Sequence, residues 1–184
     1  MASGPRIAVI GNAGGGKSTL ARDLAEKLHL PHLELDRILW RPDWTPAPLA
    51  AYESDHGNAI ASDAWIIDGL GRRESIPDRL QRDTAIILID MPIWMHFWLA
   101  AERQIAWNRD KDTLAHPPAG ATAPPPTEAL FRTIFEVDRE WMPEIRVLVA
   151  RERQRGKRVI EICNVDQLRR GTDSPQLLML TRPE

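Results

Sequence analysis

The sequence predicts an α/β fold in which about five parallel strands form a sheet with helices on both faces. Short apolar runs rich in isoleucine and valine recur along the chain, as is typical of strands buried on both faces of a parallel sheet. Longer amphipathic segments separate these runs, so strand and helix alternate. With 184 residues, 43% hydrophobic and 27% charged, the chain has the size and composition of one globular domain, 1–184.

Each element is predicted from its apolar spacing and from the residues that flank it. The strands are predicted at 6–10, 31–35, 64–68, 84–90 and 158–162. The helices are predicted at 18–28, 49–62, 76–81, 92–107, 128–155 and 165–170. Pro143 is expected to kink or split the helix that contains it. The proline-rich segment 108–127 fits neither kind of element and is predicted to be a lid.

The segment between the first strand and the first helix has the spacing of a phosphate-binding P-loop. Residues 11–18 read G-x-x-x-x-G-K-S, and the flanking strand and helix are the context that this motif requires. Glycines let the backbone turn tightly, so that its N–H groups converge on phosphate oxygens at the positive end of the next helix. Lys17 would reach the β- and γ-phosphates, and the Ser18 hydroxyl would bind Mg²⁺. The predicted nucleotide-binding residues are Gly11, Asn12, Ala13, Gly14, Gly15, Gly16, Lys17, Ser18 and Thr19, with ATP and Mg²⁺ as cofactors.

Aspartates are predicted to follow three strands at the same edge of the sheet as this loop. Ligands of open parallel sheets bind at the carboxyl ends of the strands. Asp36 would act there either as a general base for an acceptor hydroxyl or only as the cap of a helix. Asp68 is expected to support Mg²⁺, because a magnesium site needs a carboxylate at this edge. We interpret Asp90 as a helix cap before Pro92.

Composition limits the partners and the compartment. The formal net charge of −2 gives no electrostatic reason to expect direct nucleic-acid binding. The single cysteine, Cys163, excludes an internal disulfide and fits a reducing compartment. The most apolar run, 85–101, is interrupted by Asp90, Pro92 and His96, so we expect no membrane span. The expected location is the cytoplasm, and the oligomeric state stays open.

Several short motifs resemble the small P-loop kinases of the adenylate kinase and shikimate kinase group. Besides the P-loop, residues 68–72 (DGLGR) are similar to the D-G-F-P-R segment of adenylate kinases. Residues 35–40 match the L-D-x-x-x-W pattern of the adenylate-kinase-like topology modulation proteins of bacteria, which the chain resembles most. The resemblance implies a three-layer P-loop NTPase fold with a lid at about 108–127.

The resemblance also implies roles for residues outside the P-loop. Asp68 would hold Mg²⁺ through water, and Asp36 would face the acceptor. Either Arg72 or Arg73 would bind the acceptor or its phosphate, and the sequence does not decide between them. The segment 108–127 has no set of four cysteines, so no structural zinc is expected there.

Arginines near the lid complete the predicted catalytic residues. Arg103 occupies the position of a lid-hinge arginine in the related kinases. Arg103 and Arg109 would neutralise charge as the γ-phosphoryl group moves, or would only complement the dipole at a helix end. Leu99 stands where those kinases commonly place an arginine beside adenine, which leaves ATP preference over GTP open. The predicted catalytic set is Lys17, Asp36, Arg103 and Arg109.

The predicted function is an ATP-dependent phosphotransferase that moves the γ-phosphoryl group to a small acceptor. The likeness of residues 68–72 to adenylate kinases favours a nucleoside monophosphate as the acceptor. A kinase of a hydroxyl-bearing metabolite, similar to shikimate kinase, is the alternative, because Asp36 suits a base. The third hypothesis is a nucleotide-binding regulatory switch that binds ATP without acceptor-dependent turnover.

Overall fold

The structure is a computed structural model that describes residues 4–109, 121, 123–174, 177 and 180. Five parallel strands form one sheet in the order β2–β3–β1–β4–β5, which confirms the predicted α/β architecture. The strands are β1 (Arg6–Gly11), β2 (His32–Glu34), β3 (Trp65–Asp68), β4 (Ala85–Ile89) and β5 (Arg158–Ile162). The helices are α1 (Lys17–Leu28), α2 (Leu35–Leu39), α3 (Leu49–Ala61), α4 (Ile76–Arg82), α5 (Ile93–Arg109), α6 (Thr127–Glu136), α7 (Met142–Gln154) and α8 (Val165–Arg170).

Helices cover both faces of the sheet, and β1 is buried at its centre. Side chains that alternate along β1 enter two different clusters, with Ala8 and Ile10 on one face and Ile7 and Val9 on the other. Helices α3, α4 and α7 pack on the first face, whereas α1 packs on the second. Burial on both faces explains why β1 is apolar at successive positions.

The parallel strands bring their carboxyl ends to one edge of the sheet. The end of β1 lies between β3 and β4, since Val9 is paired with Asp68 and Gly11 with Ile89. The end of β2 lies beside that of β3, because Glu34 is paired with Asp68. The loop after β1 therefore opens at the centre of this edge, with carboxylates beside it.

The segment after β2 differs from its prediction. The strand was expected to run to residue 35, but it ends at Glu34 and the helix α2 begins at once. Leu35 is fully buried and Ile38 packs against the same cluster, a spacing that one helical turn brings to one side. Asp36 therefore lies in the first turn of α2 and is not a helix cap, since the cap position is Glu34.

The long helix predicted at 128–155 is divided as expected. Helix α6 ends at Glu136, a π-helical turn spans Val137–Trp141, and Pro143 lies in the first turn of α7. Of the predicted lid 108–127, residues 110–120 and 122 lie outside the described residues. Within the described part of the chain, no helix combines the length and the apolar composition that crossing a membrane would need.

Candidate active site

The P-loop turns tightly between β1 and α1 and is pressed against α5. Gly14 and Gly16 have positive φ values of 72° and 75°, which favour glycine. A Cβ atom added at Gly15 would lie 2.8 Å from Cε1 of His96 on α5, so the loop or the imidazole would have to shift to admit a side chain there. The first N–H groups of α1 have no partner within the helix, which leaves them available to an anion.

Asn12 anchors the loop at its second position. The buried Asn12 side chain donates from Nδ2 to the carbonyl oxygen of Ile134 at 2.8 Å and accepts the Ala13 N–H at 2.7 Å. The carbonyl oxygen of Asn12 accepts from Nζ of Lys17 at 2.7 Å. Burial lowers the pKa of the Lys17 ammonium, and the carboxylates of Asp36 and Asp68 oppose this shift. Lys17 thus lies over the P-loop, facing both aspartates.

Ser18 and Asp68 bring oxygen atoms together beside the loop. The Ser18 hydroxyl donates to Oδ2 of Asp68 at 2.6 Å, and Nε2 of His32 lies 2.8 Å from Oδ1. Mg²⁺ prefers oxygen ligands, and in kinases one or two protein groups hold it together with substrate phosphates. No group of three or more metal-ligating side chains occurs among the described residues. The Ser18–Asp68 pair therefore offers oxygen ligands that fit a Mg²⁺ ion bound together with nucleotide phosphates.

Asp36 faces the P-loop from α2. Its side chain is exposed, and desolvation by the protein atoms around it raises the pKa of the Asp36 carboxyl group. The nearby cations of Lys17 and Arg103 oppose the shift, and so does the adjacent Trp40 side chain. The structure thus brings together three of the four predicted catalytic residues.

Arg103 approaches Asp36 from α5. Its guanidinium lies over the ring of Trp107, 4.8 Å from the ring centroid, which holds the side chain in one direction. Arg103 is exposed, yet desolvation by the protein atoms around its guanidinium lowers its pKa, and the Asp36 carboxylate opposes that shift. Arg109, the fourth predicted residue, is exposed at the last position of α5, next to segment 110–120.

The neighbouring arginines Arg72 and Arg73 point in different directions. Arg73 donates to Oε2 of Glu144 on α7 from Nη2 at 2.6 Å and from Nε at 2.9 Å, on the protein surface. Arg72 donates to the carbonyl oxygen of Ala47 at 2.6 Å and lies over the Tyr52 ring, 5.6 Å from its centroid. Arg72 therefore lies beside the loop that follows α2, whereas Arg73 extends to α7.

Asp90 has a different partner from the one expected. Helix α5 begins at Ile93, so its cap position is not residue 90, and the interpretation of Asp90 as a helix cap is wrong. Both carboxylate oxygens instead accept from Arg146 of α7, at 2.7 and 2.8 Å. This two-bond ion pair joins the end of β4 to α7.

Three residues near the loop were not predicted. His32 contacts Asp68 as described above. Glu34 is buried, and burial with the adjacent Asp68 carboxylate raises the pKa of Glu34 to about 7. His96 is buried against the P-loop, with Nδ1 2.9 Å from the carbonyl oxygen of Ala13. The only sequence signal was for Glu34, since E-L-D places two carboxylates at the end of one strand.

Comparisons with solved structures find this architecture in other proteins. No known family model and no curated protein matches the chain. The shikimate kinase from Acinetobacter baumannii in complex with shikimate is 15% identical with a TM-score of 0.55, over 100% of this chain and 97% of that one. A shikimate kinase from Bacteroides thetaiotaomicron is 13% identical with a TM-score of 0.51, over 95% of this chain and 98% of that one. A gluconokinase from Sinorhizobium meliloti 1021 is 15% identical with a TM-score of 0.44, over 73% of this chain and 91% of that one. The likeness to the two shikimate kinases shows that the chain has the same P-loop α/β fold.

Proposed function

We propose that this protein is an ATP-dependent kinase that transfers the γ-phosphoryl group to a hydroxyl group of a small molecule. The observation that carries the proposal is the position of Asp36, a carboxylate with a raised pKa that faces Lys17 and Arg103 beside the P-loop. We call the P-loop with Ser18 and Asp68 the phosphate half of the site. The acceptor half consists of Asp36, Arg72 and Arg103.

The phosphate half would bind ATP. The P-loop N–H groups and Lys17 would hold the phosphates, while the Ser18 hydroxyl would bind Mg²⁺ directly and Asp68 would hold it through water. Bound Mg²⁺ neutralises charge on the β- and γ-phosphate oxygens. Lys17 would exchange its bond to the Asn12 carbonyl for phosphate oxygens when ATP binds.

The acceptor half would supply the base. The acceptor hydroxyl oxygen forms a bond to the γ-phosphorus, and the bond from that phosphorus to the bridging oxygen breaks. ADP leaves with the electron pair of that bond, and the hydroxyl proton passes to the Asp36 carboxylate. A raised pKa suits this role, because a general base works best when its pKa lies closer to the working pH.

Cations on both sides would stabilise the charge that develops during transfer. Lys17 lies on the phosphate side, whereas Arg103 lies across the site on α5, and both interact electrostatically with Asp36. Fixed charges that are already in place lower the barrier because they do not have to reorient during the reaction. Arg103 would therefore act on the transferred group and also orient Asp36.

The test is ADP release from Mg·ATP with a panel of polyols, hydroxy acids and nucleoside monophosphates, using the full chain and Lys17→Ala as the blank. Turnover that depends on one hydroxyl compound, and that is lost in the blank, would support the proposal. ATP binding with no acceptor-dependent turnover across a broad panel would contradict it and favour a nucleotide-binding switch.

A nucleoside monophosphate kinase is the second candidate, and one observation favours it. Arg72 lies in the segment that is similar to adenylate kinases and is held over Tyr52, beside Ala47. A guanidinium in that place suits an acceptor phosphate. Because a phosphate acceptor is already anionic, this reaction would not need Asp36 as a base. Turnover with a nucleoside monophosphate alone would select this candidate.

A further inference from the structure

His32 reaches from the edge strand to the phosphate half of the site. In the β2–β3 register His32 is paired with Ile66, yet its imidazole extends to Asp68, two residues further along β3. The Nε2–Oδ1 distance is 2.8 Å, and the two side chains are only 15% and 3% exposed. Because a carboxylate oxygen accepts, Nε2 carries the proton of this hydrogen bond.

Asp68 is thereby held from two sides. Ser18 donates to Oδ2 at 2.6 Å while His32 donates to Oδ1, so rotation of the carboxylate would break at least one short hydrogen bond.

We infer that His32 is a positioning residue that holds the Asp68 carboxylate in the orientation in which Asp68 and Ser18 together support Mg²⁺ beside bound nucleotide. The inference rests on the proposed nucleotide site. It assigns His32 no contact with the nucleotide itself. Hydrogen-bond partners of groups that support a metal commonly contribute about 10–100-fold to metal affinity.

The experiment measures nucleotide binding and needs no acceptor. A fluorescent N-methylanthraniloyl derivative of the β,γ-imido ATP analogue is titrated into the full chain with and without Mg²⁺. His32→Leu removes the donor, whereas His32→Gln keeps an N–H near the Nε2 position. His29→Asn is the matched control, because His29 lies at the far end of α1 in a left-handed conformation that asparagine tolerates.

The expected result is a specific loss of the response to Mg²⁺. In His32→Leu, the Mg²⁺ concentration that gives half of the increase in affinity rises about 10-fold, while affinity without Mg²⁺ is unchanged. His32→Gln retains most of the wild-type response, and His29→Asn retains all of it. A wild-type response in His32→Leu would overturn the inference. Equal loss in the Leu and Gln variants, or equal weakening with and without Mg²⁺, would also overturn it, since packing alone would then explain the effect.

The wild-type protein separates this inference from the proposed function. If it does not bind the analogue, the nucleotide site and the inference both fail. If it binds and Mg²⁺ has no effect, the role of Asp68 and the inference fail while the P-loop site remains. If it responds to Mg²⁺ and His32→Leu responds equally, only the inference fails.

Discussion

The phosphate half and the acceptor half of the proposed site are built in different ways. The phosphate half is largely one stretch of chain, in which the P-loop joins the central strand β1 to α1 and its backbone sets the shape. The acceptor half is assembled from side chains of separate segments, with Asp36 on α2, Arg72 after β3 and Arg103 on α5. Nucleotide binding by the phosphate half depends on free space beside the loop backbone, whereas acceptor binding by the acceptor half depends on how its side chains are oriented. A substitution in one half should therefore leave the function of the other half unchanged.

The largest expected effect is on the acceptor half and comes from Asp36→Asn. Losing a general base should lower kcat with a hydroxyl acceptor by about 10²–10⁴-fold while leaving ATP affinity unchanged. Because Asp36 must be ionised to accept a proton, wild-type activity should fall as pH decreases through its pKa, which lies above the ordinary aspartate range. Steady-state kinetics against pH, with the exposed Asp55→Asn as the control, measure both effects.

The same variant also tests whether the two halves are independent. If Asp36→Asn weakens ATP binding as strongly as it lowers kcat, the two halves are not independent. If it leaves kcat unchanged with the true acceptor, Asp36 is not the base, and an anionic acceptor such as a nucleoside monophosphate becomes the better interpretation.

Gly15→Ala tests the phosphate half by removing space. The added methyl group would meet Cε1 of His96 at 2.8 Å, so either the loop or the imidazole must move. Nucleotide Kd should rise about 10-fold or more, which corresponds to about 1.4 kcal/mol. Gly57→Ala is the matched control, since a Cβ there contacts nothing within 4 Å and should instead stabilise α3 by about 0.5–1 kcal/mol.

A double variant identifies the source of the effect. Adding His96→Ala to Gly15→Ala should restore part of the lost affinity, because it removes the atom that the new methyl group meets. If His96→Ala and Gly15→Ala are simply additive, the space is limited by the loop backbone or by Cγ2 of Ile89, which would lie 3.3 Å from the added Cβ, and not by the imidazole.

Arg72→Met and Arg73→Met form a matched pair for the acceptor half. A guanidinium that binds an anionic or hydroxyl group of the acceptor contributes about 1.5–3 kcal/mol, so Arg72→Met should raise the acceptor KM about 10-fold or more. Arg73 forms an exposed ion pair with Glu144, and its loss should change KM by less than about 3-fold. The opposite ranking would show that Arg73 leaves Glu144 when the acceptor binds.

The same difference between the halves explains which parts of the site could be predicted from the sequence. The P-loop was predictable because its chemistry requires fixed spacing within eight consecutive residues, and Asp68 because it ends a clearly apolar strand. Asp36 was placed beside the loop, but α2 was missed, because five residues are too few for a helical period to be recognised.

Contacts between distant parts of the chain were beyond sequence reasoning. Arg146 binds Asp90 across 56 residues, and His32 binds Asp68 across 36. Nothing in the local pattern distinguishes Arg72 from Arg73, because their different directions depend on where α7 and Tyr52 lie. The partner of each side chain is decided by packing between distant segments, and the residue spacing in a single sequence does not predict that packing.

The smallest expected effect concerns the connection between the acceptor half and the predicted lid. Trp44, in the loop after α2, has a positive φ of 61°, and its indole N–H donates to the carbonyl oxygen of Ala123 at 3.0 Å. Trp44→Phe keeps an aromatic ring but removes this hydrogen bond, which is worth about 0.5–1.5 kcal/mol. If the bond holds the lid over the acceptor, KM for the acceptor should rise about 2–10-fold while nucleotide Kd stays constant. Trp94→Phe, on the exposed face of α5, is the control and should change neither quantity. A change in nucleotide Kd alone would mean that the lid segment acts on the phosphate half, and the division of the site into two independent halves would then be wrong.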